Sequence, residues 1–317
     1  MQLSAPANTD TPVSPSFGRP PVWRGLLTAV SGNVLTIAGT PGWTVNHYAP
    51  VTEIYYVRLM TGTLAGHYFV VATNTANTVT VDNAGLDLSV ITAGNQAELA
   101  PFWTLGTFYP ASYANVSFVP SASPLARQTE ILFYDPAGTG VNRSPTETYY
   151  FYNAAWRKVG ASVATSYNTK VLLPDTYFLH RNKVTATTLT VGGRLFTSKL
   201  TTVVEARSAT QQDNYVTMAH PAQVSLRNTG LVSSGAFSTS LSPLSRTDQL
   251  FVFNPAQTGF NRSASATYYY YNSGWRKVGA AVTVDFSDSV FLTPGSGFII
   301  RKAAGPTSPQ WSFDTHL

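Results

Sequence analysis

The side chains able to do acid/base or metal chemistry are few and dispersed. Five histidines (His47, His67, His180, His220, His316) and five glutamates (Glu53, Glu98, Glu130, Glu147, Glu205) are spread along 317 residues. No His-Glu-x-x-His run, no histidine pair at ligand spacing, no nucleophile elbow and no phosphate-cradling Gly-rich loop occurs. Cysteine is absent, which removes disulfides, thiol nucleophiles and thiolate metal sites. Asp82-Asn-Ala-Gly-Leu-Asp87 and Asp285-Phe-Ser-Asp288 offer oxygen ligands of the kind calcium takes, but turn formation accounts for both more simply. The sequence therefore reads as a non-enzyme, with no catalytic residue, no metal and no cofactor.

Aromatic side chains are the alternative source of binding chemistry, and they are repeated. Residues 123–161 match residues 242–280 at 22 of 39 positions, an offset of 119. Ser123-Pro-Leu-Ala-Arg127 returns as Ser242-Pro-Leu-Ser-Arg246, and Thr139-Gly-Val-Asn-Arg-Ser144 as Thr258-Gly-Phe-Asn-Arg-Ser263. Thr148-Tyr-Tyr-Phe-Tyr-Asn-Ala-Ala-Trp-Arg-Lys-Val-Gly160 returns as Thr267-Tyr-Tyr-Tyr-Tyr-Asn-Ser-Gly-Trp-Arg-Lys-Val-Gly279. The second copy replaces Asp135 by Asn254 and Glu147 by Ala266. A duplicated carboxylate pair kept for acid/base work would not lose both acids.

Each copy predicts an apolar strand, a Pro-Ala-x-Thr-Gly loop and an aromatic hairpin turning at Asn153 or Asn272. Because a strand alternates its faces, Tyr149, Tyr150, Phe151 and Tyr152, like Tyr268, Tyr269, Tyr270 and Tyr271, line both faces of their ribbons. Trp156 and Trp275 open the return strands. At about 2 kcal/mol per buried ring, the second face needs cover from another sheet, the sister repeat or another subunit. Packing of the two repeats around a pseudo-two-fold axis is the intramolecular solution. Arg157-Lys158 and Arg276-Lys277 adjoin these rings, where a guanidinium can stack on an aromatic or simply snorkel from a packed stem.

The elements that must position these groups are short strands. Apolar or alternating runs punctuated by Gly, Pro, Asn and Asp, with almost no helical period, predict an all-β chain of antiparallel sandwich or small-barrel domains carrying an internal duplication. Residues 1–22, with five prolines, form an extended arm. Residues 23–110 form a small barrel or sandwich, with strands at 25–30, 34–38, 53–60, 66–73 and 78–81. Residues 111–230 carry repeat 1, residues 231–303 carry repeat 2 packed with it, and residues 304–317 are a linker and strand. In that last strand Trp311, Phe313 and Leu317 share one face. Their burial is worth about 6 kcal/mol before ordering costs. The tail pairs either within its own domain or, like the arm, with a neighbouring subunit's sheet by strand addition.

Folding of a 34.2 kDa chain buries roughly 36,000 Å², so core size is not limiting. Only 11% of residues are charged, under half the roughly 25% of an average soluble domain. The surface is instead rich in hydroxyl and amide groups, with 41 Thr and only six Lys. Such a surface desolvates easily on association. The +5 net charge comes from single or paired basic residues, which does not favour nucleic acid. No run approaches about 18 uninterrupted apolar residues, so no membrane span is expected. The opening Met-Gln-Leu-Ser-Ala-Pro-Ala lacks the regions of a secretion signal, and the composition fits a processed, exported chain.

The hairpin Tyr-Tyr-x-Tyr-Asn-x-x-Trp-Arg-Lys-Val-Gly, together with Thr-Gly-x-Asn-Arg-Ser, Tyr55-Tyr-Val-Arg-Leu-Met60 and Asn74-Thr-Ala-Asn-Thr-Val-Thr-Val-Asp82, resembles an uncharacterised family of secreted bacterial β-rich proteins. The resemblance covers most of residues 22–303. It implies export and a β fold, with no activity to carry over. The expectation is an extracellular or cell-surface structural protein that associates with copies of itself into a filament or layer through strand addition and aromatic faces. The alternative is a secreted or surface module that binds polysaccharide or mediates adhesion.

Overall fold

Alternation of apolar and polar residues through residues 23–101 closes a small barrel. The computed structural model describes residues 1–314, and nearly all of their regular structure is strand. β1 (Gln2–Ala5) and β2 (Thr9–Val13) precede the barrel strands β3 (Trp23–Ser31), β4 (Val34–Ile37), β5 (Tyr55–Leu59), β6 (Tyr68–Asn74), β7 (Thr78–Asp82) and β8 (Gln96–Pro101). These six close in the order β3-β4-β7-β6-β5-β8. Along β6 and β7, Phe69, Val71, Val79 and Val81 join the barrel core while Val70 is exposed. A six-stranded barrel is narrow enough for side chains to fill.

The chain continues through β9 (Trp103–Thr104), β10 (Thr129–Phe133), β11 (Glu147–Tyr152), β12 (Ala155–Lys158), β13 (Val171–Leu172), β14 (Phe178–Asn182) and β15 (Thr187–Thr190). It then forms β16 (Leu200–Val203), β17 (Gln212–Val216), β18 (Val224–Ser225), β19 (Gln249–Val252), β20 (Ala266–Tyr271), β21 (Gly274–Lys277), β22 (Val290–Leu292), β23 (Phe298–Lys302) and β24 (Gln310–Phe313). One five-stranded sheet runs β12-β11-β10-β14-β2 and the other β21-β20-β19-β23-β17. The matched sequence segments thus occupy corresponding strands.

Strand pairing cuts across the segment boundaries expected from sequence. β2, from the supposed arm, completes the edge of the first sheet against β14. Pro12, which has no N–H for a ladder, sits on that edge strand. β1 pairs with β15, and Ala5 and Val13 are fully buried. β17 lies before residue 231 yet pairs with β23 of the second sheet. Arm and tail are therefore parts of the folded sheets.

Both aromatic hairpins turn through two residues. Tyr152 pairs with Ala155 and Tyr271 with Gly274, leaving Asn153-Ala154 and Asn272-Ser273 as the loops. All four loop residues have φ between 46° and 57°. Two successive left-handed residues match the right-handed twist of the flanking strands, which is why asparagine leads each turn.

Candidate ligand-binding cleft

The aromatic ribbons picked out in the sequence are covered by their own chain. Tyr149, Phe151 and Trp156 lie in the core of the first sheet, and Tyr268 and Trp275 in that of the second, with Tyr270 packed against it. Tyr150 and Tyr269 are also buried, whereas Tyr152 and Tyr271 are half-buried. Arg127 lies 5.8 Å from the Tyr150 ring and Arg246 5.4 Å from Tyr269. On the second faces, where another sheet, the sister repeat or another subunit was expected, the arginine of each Ser-Pro-Leu-x-Arg turn lies over Tyr150 or Tyr269, while Tyr152 and Tyr271 stay partly open. Arg157 and Arg276 do not stack on rings. They donate to turn carbonyls, Arg157 to Tyr152 and Asn153 and Arg276 to Asn272.

The C-terminal residues are likewise engaged within the chain. β24 pairs with β16, Trp311 and Phe313 sit in the second core, and Trp311 Nε1 donates to the Thr229 carbonyl at 2.8 Å. Of the two pairings expected for the tail, its own domain or a neighbour's sheet, the structure has the first, with β16 as partner strand and the second core as pocket for Trp311 and Phe313. Leu317 lies outside the described residues.

The two sheets are joined by reciprocal loop docking. The Asp10 N–H donates to the Gly259 carbonyl and the Asp213 N–H to that of Gly140, both at 3.0 Å. The Asn261 N–H donates to Asp10 Oδ2 at 2.8 Å, and the Asn142 N–H to Asp213 Oδ2 at 2.7 Å. Each carboxylate also takes a bidentate arginine from the neighbouring strand, Arg181 on Asp10 and Arg301 on Asp213. The repeated Thr-Gly-x-Asn-Arg phrase is therefore a clasp in which each repeat's loop grips the other's edge strand. Asn142 and Asn261, which head glycosylation triplets in the sequence, accept hydrogen bonds from Arg301 and Arg181 within this clasp.

Beside the clasp, the barrel and both sheets enclose an open cleft of about 860 Å³. One wall carries Phe133, Tyr134, Tyr177 and Tyr215. Tyr134 and Tyr215 stack with centroids 3.6 Å apart and planes 13° from parallel, and Arg143 lies 5.0 Å from the Tyr215 ring. Burial, reinforced by the Asp213 charge, pushes the Tyr215 hydroxyl up to about 12. Phe133 and Tyr134 are half-buried, so the rim of this wall is presented to the cleft.

Two carboxylates of the cleft are pushed in opposite directions. Burial raises the Asp175 pKa against hydrogen bonds from the Thr202 and Tyr68 hydroxyls, the latter at 2.8 Å. Partial burial also works against ionised Glu147, but its hydrogen bonds to Lys158 and Lys170 and their charges win, holding it down to about 2. Both acids are engaged by groups of the chain. The cleft therefore offers stacking surface and hydrogen-bonding groups in a fixed arrangement. Among the described residues, no three His, Asp or Glu side chains converge as metal ligands, and Asp82, Asp87 and Asp285 accept local turn N–H groups.

Sequence reading missed Tyr134, Tyr177, Tyr215 and Asp175, since none falls in the aromatic hairpin and their assembly depends on packing between three sheets. Searched against protein-family models, curated proteins and solved structures, the chain matches none.

Proposed function

We propose that this chain is a non-catalytic glycan-binding module of a secreted or surface protein, holding part of a polysaccharide in the cleft between the barrel and the paired sheets. The observation that carries the reading is the stacked Tyr134–Tyr215 pair at the edge of an open, mixed polar and apolar cleft. Sugar rings present flat C–H faces that pack on aromatic rings, while their hydroxyls need fixed donors and acceptors. Engagement of Asp175 and Glu147 by the chain's own groups supports binding over proton transfer. Affinity electrophoresis against soluble polysaccharides tests it. Retardation by at least one polymer, lost in Tyr134→Ala, supports the reading; migration unaffected by every polymer contradicts it.

Self-association is the second reading, now on a different surface. Leu125 and Leu244, equivalent positions of the two Ser-Pro-Leu turns, are 93% and 92% exposed, and nearby Leu241 is 85% exposed. Ser123 Oγ accepts the Ala126 N–H and Ser242 Oγ the Ser245 N–H, fixing the turns that present Leu125 and Leu244. Leucines held this far into water give up about 2 kcal/mol each that burial against another copy would recover. Sedimentation velocity tests this reading. Oligomers that disappear in Leu125→Ser/Leu244→Ser favour it, and a monomer across the concentration range removes it.

A further inference from the structure

A second cavity, of about 550 Å³, lies between the two sheets, within the roughly 300–1,000 Å³ typical of small-ligand sites. Arg143 and Arg262, equivalent residues of the two docking loops, both line it. Their hydrogen bonds go to main-chain carbonyls. Arg143 donates to Asp135 at 2.6 Å and Asp213 at 2.9 Å, and Arg262 to Asn254 at 2.8 Å and Asp10 at 2.7 Å. Arg181 and Arg301 are neutralised by Asp10 and Asp213. Among the described residues, no carboxylate forms an ion pair with Arg143 or Arg262, so two carbonyl-bound guanidinium charges flank one cavity, with Asp10 also on its wall but paired to Arg181. Burial lowers the Arg262 pKa, and the nearby Asp10 charge offsets this only in part. Tyr134, Arg143, Tyr177 and Tyr215 line both this cavity and the cleft, so one bound chain can touch both.

We propose that the cavity between the sheets seats the anionic group of an acidic sugar residue, a uronate carboxylate or a sulfate ester, between Arg143 and Arg262. This rests on the glycan-binding reading and narrows it to acidic polysaccharides. The two arginines supply the charge, and the shared tyrosine wall supplies a surface for the ring.

Isothermal titration of the full chain with oligogalacturonate, sulfated dextran oligosaccharide, neutral dextran oligosaccharide and sodium sulfate tests the proposal. The expected result is binding of an acidic oligosaccharide at least about tenfold tighter than the neutral one, weakening as salt rises. Arg262→Gln, which lies outside the cleft, should remove most of that preference and leave neutral binding unchanged, whereas Arg143→Gln, whose residue lines both sites, should weaken acidic binding more than neutral; both are checked for folding by thermal denaturation. Equal binding of acidic and neutral oligosaccharides overturns the proposal while keeping the glycan reading, as does wild-type acidic affinity in either folded Gln variant. Sulfate alone binding as tightly as the oligosaccharides assigns the cavity to a free anion and overturns the sugar assignment. Binding of no oligosaccharide overturns both. Should the Gln variants fail to fold, the wild-type preference and its salt dependence decide.

Discussion

Asp248 and Lys302 form a buried ion pair where the first sheet has Thr129 and Asn182. Lys302 Nζ donates to Asp248 Oδ2 and to the Ala236 carbonyl at 2.9 Å, while Thr129 Oγ1 donates to Asn182 Oδ1 at 2.8 Å. Thr129 pairs with Asn182 across β10 and β14, and its repeat equivalent, Asp248, directly precedes β19. A neutral pair and a charged pair thus solve the same packing problem. Lys302→Ala leaves Asp248, fully buried, without its counter-charge and should cost about 3–5 kcal/mol. The double change Asp248→Thr/Lys302→Asn should cost less than the sum of its single changes. Urea denaturation of the four proteins measures this coupling.

His180 gives the fold a pH dependence. It is fully buried between Tyr109 Oη and Asn182 Oδ1, each 3.1 Å from a ring nitrogen, and burial holds its pKa down to about 4. The unfolded chain takes up this proton near its ordinary value of about 6.5. Its contribution is therefore fully present above about 6.5 and is lost as pH falls towards 4, by about 3 kcal/mol in all. The second sheet has Ile300 at the matching place, opposite Leu250 as His180 is opposite Ile131. His180→Ile should flatten the stability profile between pH 7 and 4, measured by denaturant midpoints. It should also lower stability at pH 7, because Tyr109 loses a buried partner.

The hairpin turns contain removable strain. Ala154 at φ 57° and Ser273 at φ 57° occupy left-handed backbone that a side chain disfavours. Ala154→Gly and Ser273→Gly should each stabilise the protein by about 1 kcal/mol. Thermal denaturation should give higher midpoints for both variants and a roughly additive double variant.

Trp311 should behave as a core residue. Its ring is fully buried and packs 5.8 Å from Phe298 and 4.6 Å from Phe313, centroid to centroid. Trp311→Ala should cost about 3–5 kcal/mol. Removing residues 304–317 should expose the second sheet to limited proteolysis while sparing the barrel. A truncated chain as stable as the full one would contradict this placement.

Five of the six barrel strands and both aromatic hairpins are legible because period-two alternation and Asn-led turns are local signals; β8, buried at all but its first residue, shows no such alternation of exposure. What stayed hidden was cover. Nothing local tells that Arg127 and Arg246 lie over Tyr150 and Tyr269, so the sequence leaves open whether another sheet, the sister repeat or another subunit covers those rings. The Thr-Gly-x-Asn-Arg phrase was visible as a repeat, but its role as a clasp depends on Asp10 and Asp213, which lie outside the matched segments. The cleft was hidden for the same reason, since Tyr134, Tyr177 and Tyr215 meet only when β17 leaves its expected segment and joins the second sheet.

Glycan binding by the cleft is tested most directly by titrating the polysaccharide that most retards the protein against wild type and Tyr134→Ala. Saturable binding by the wild type, about tenfold weaker in a Tyr134→Ala protein of unchanged stability, is the predicted result. Equal affinity of the two proteins would contradict the cleft as the binding site.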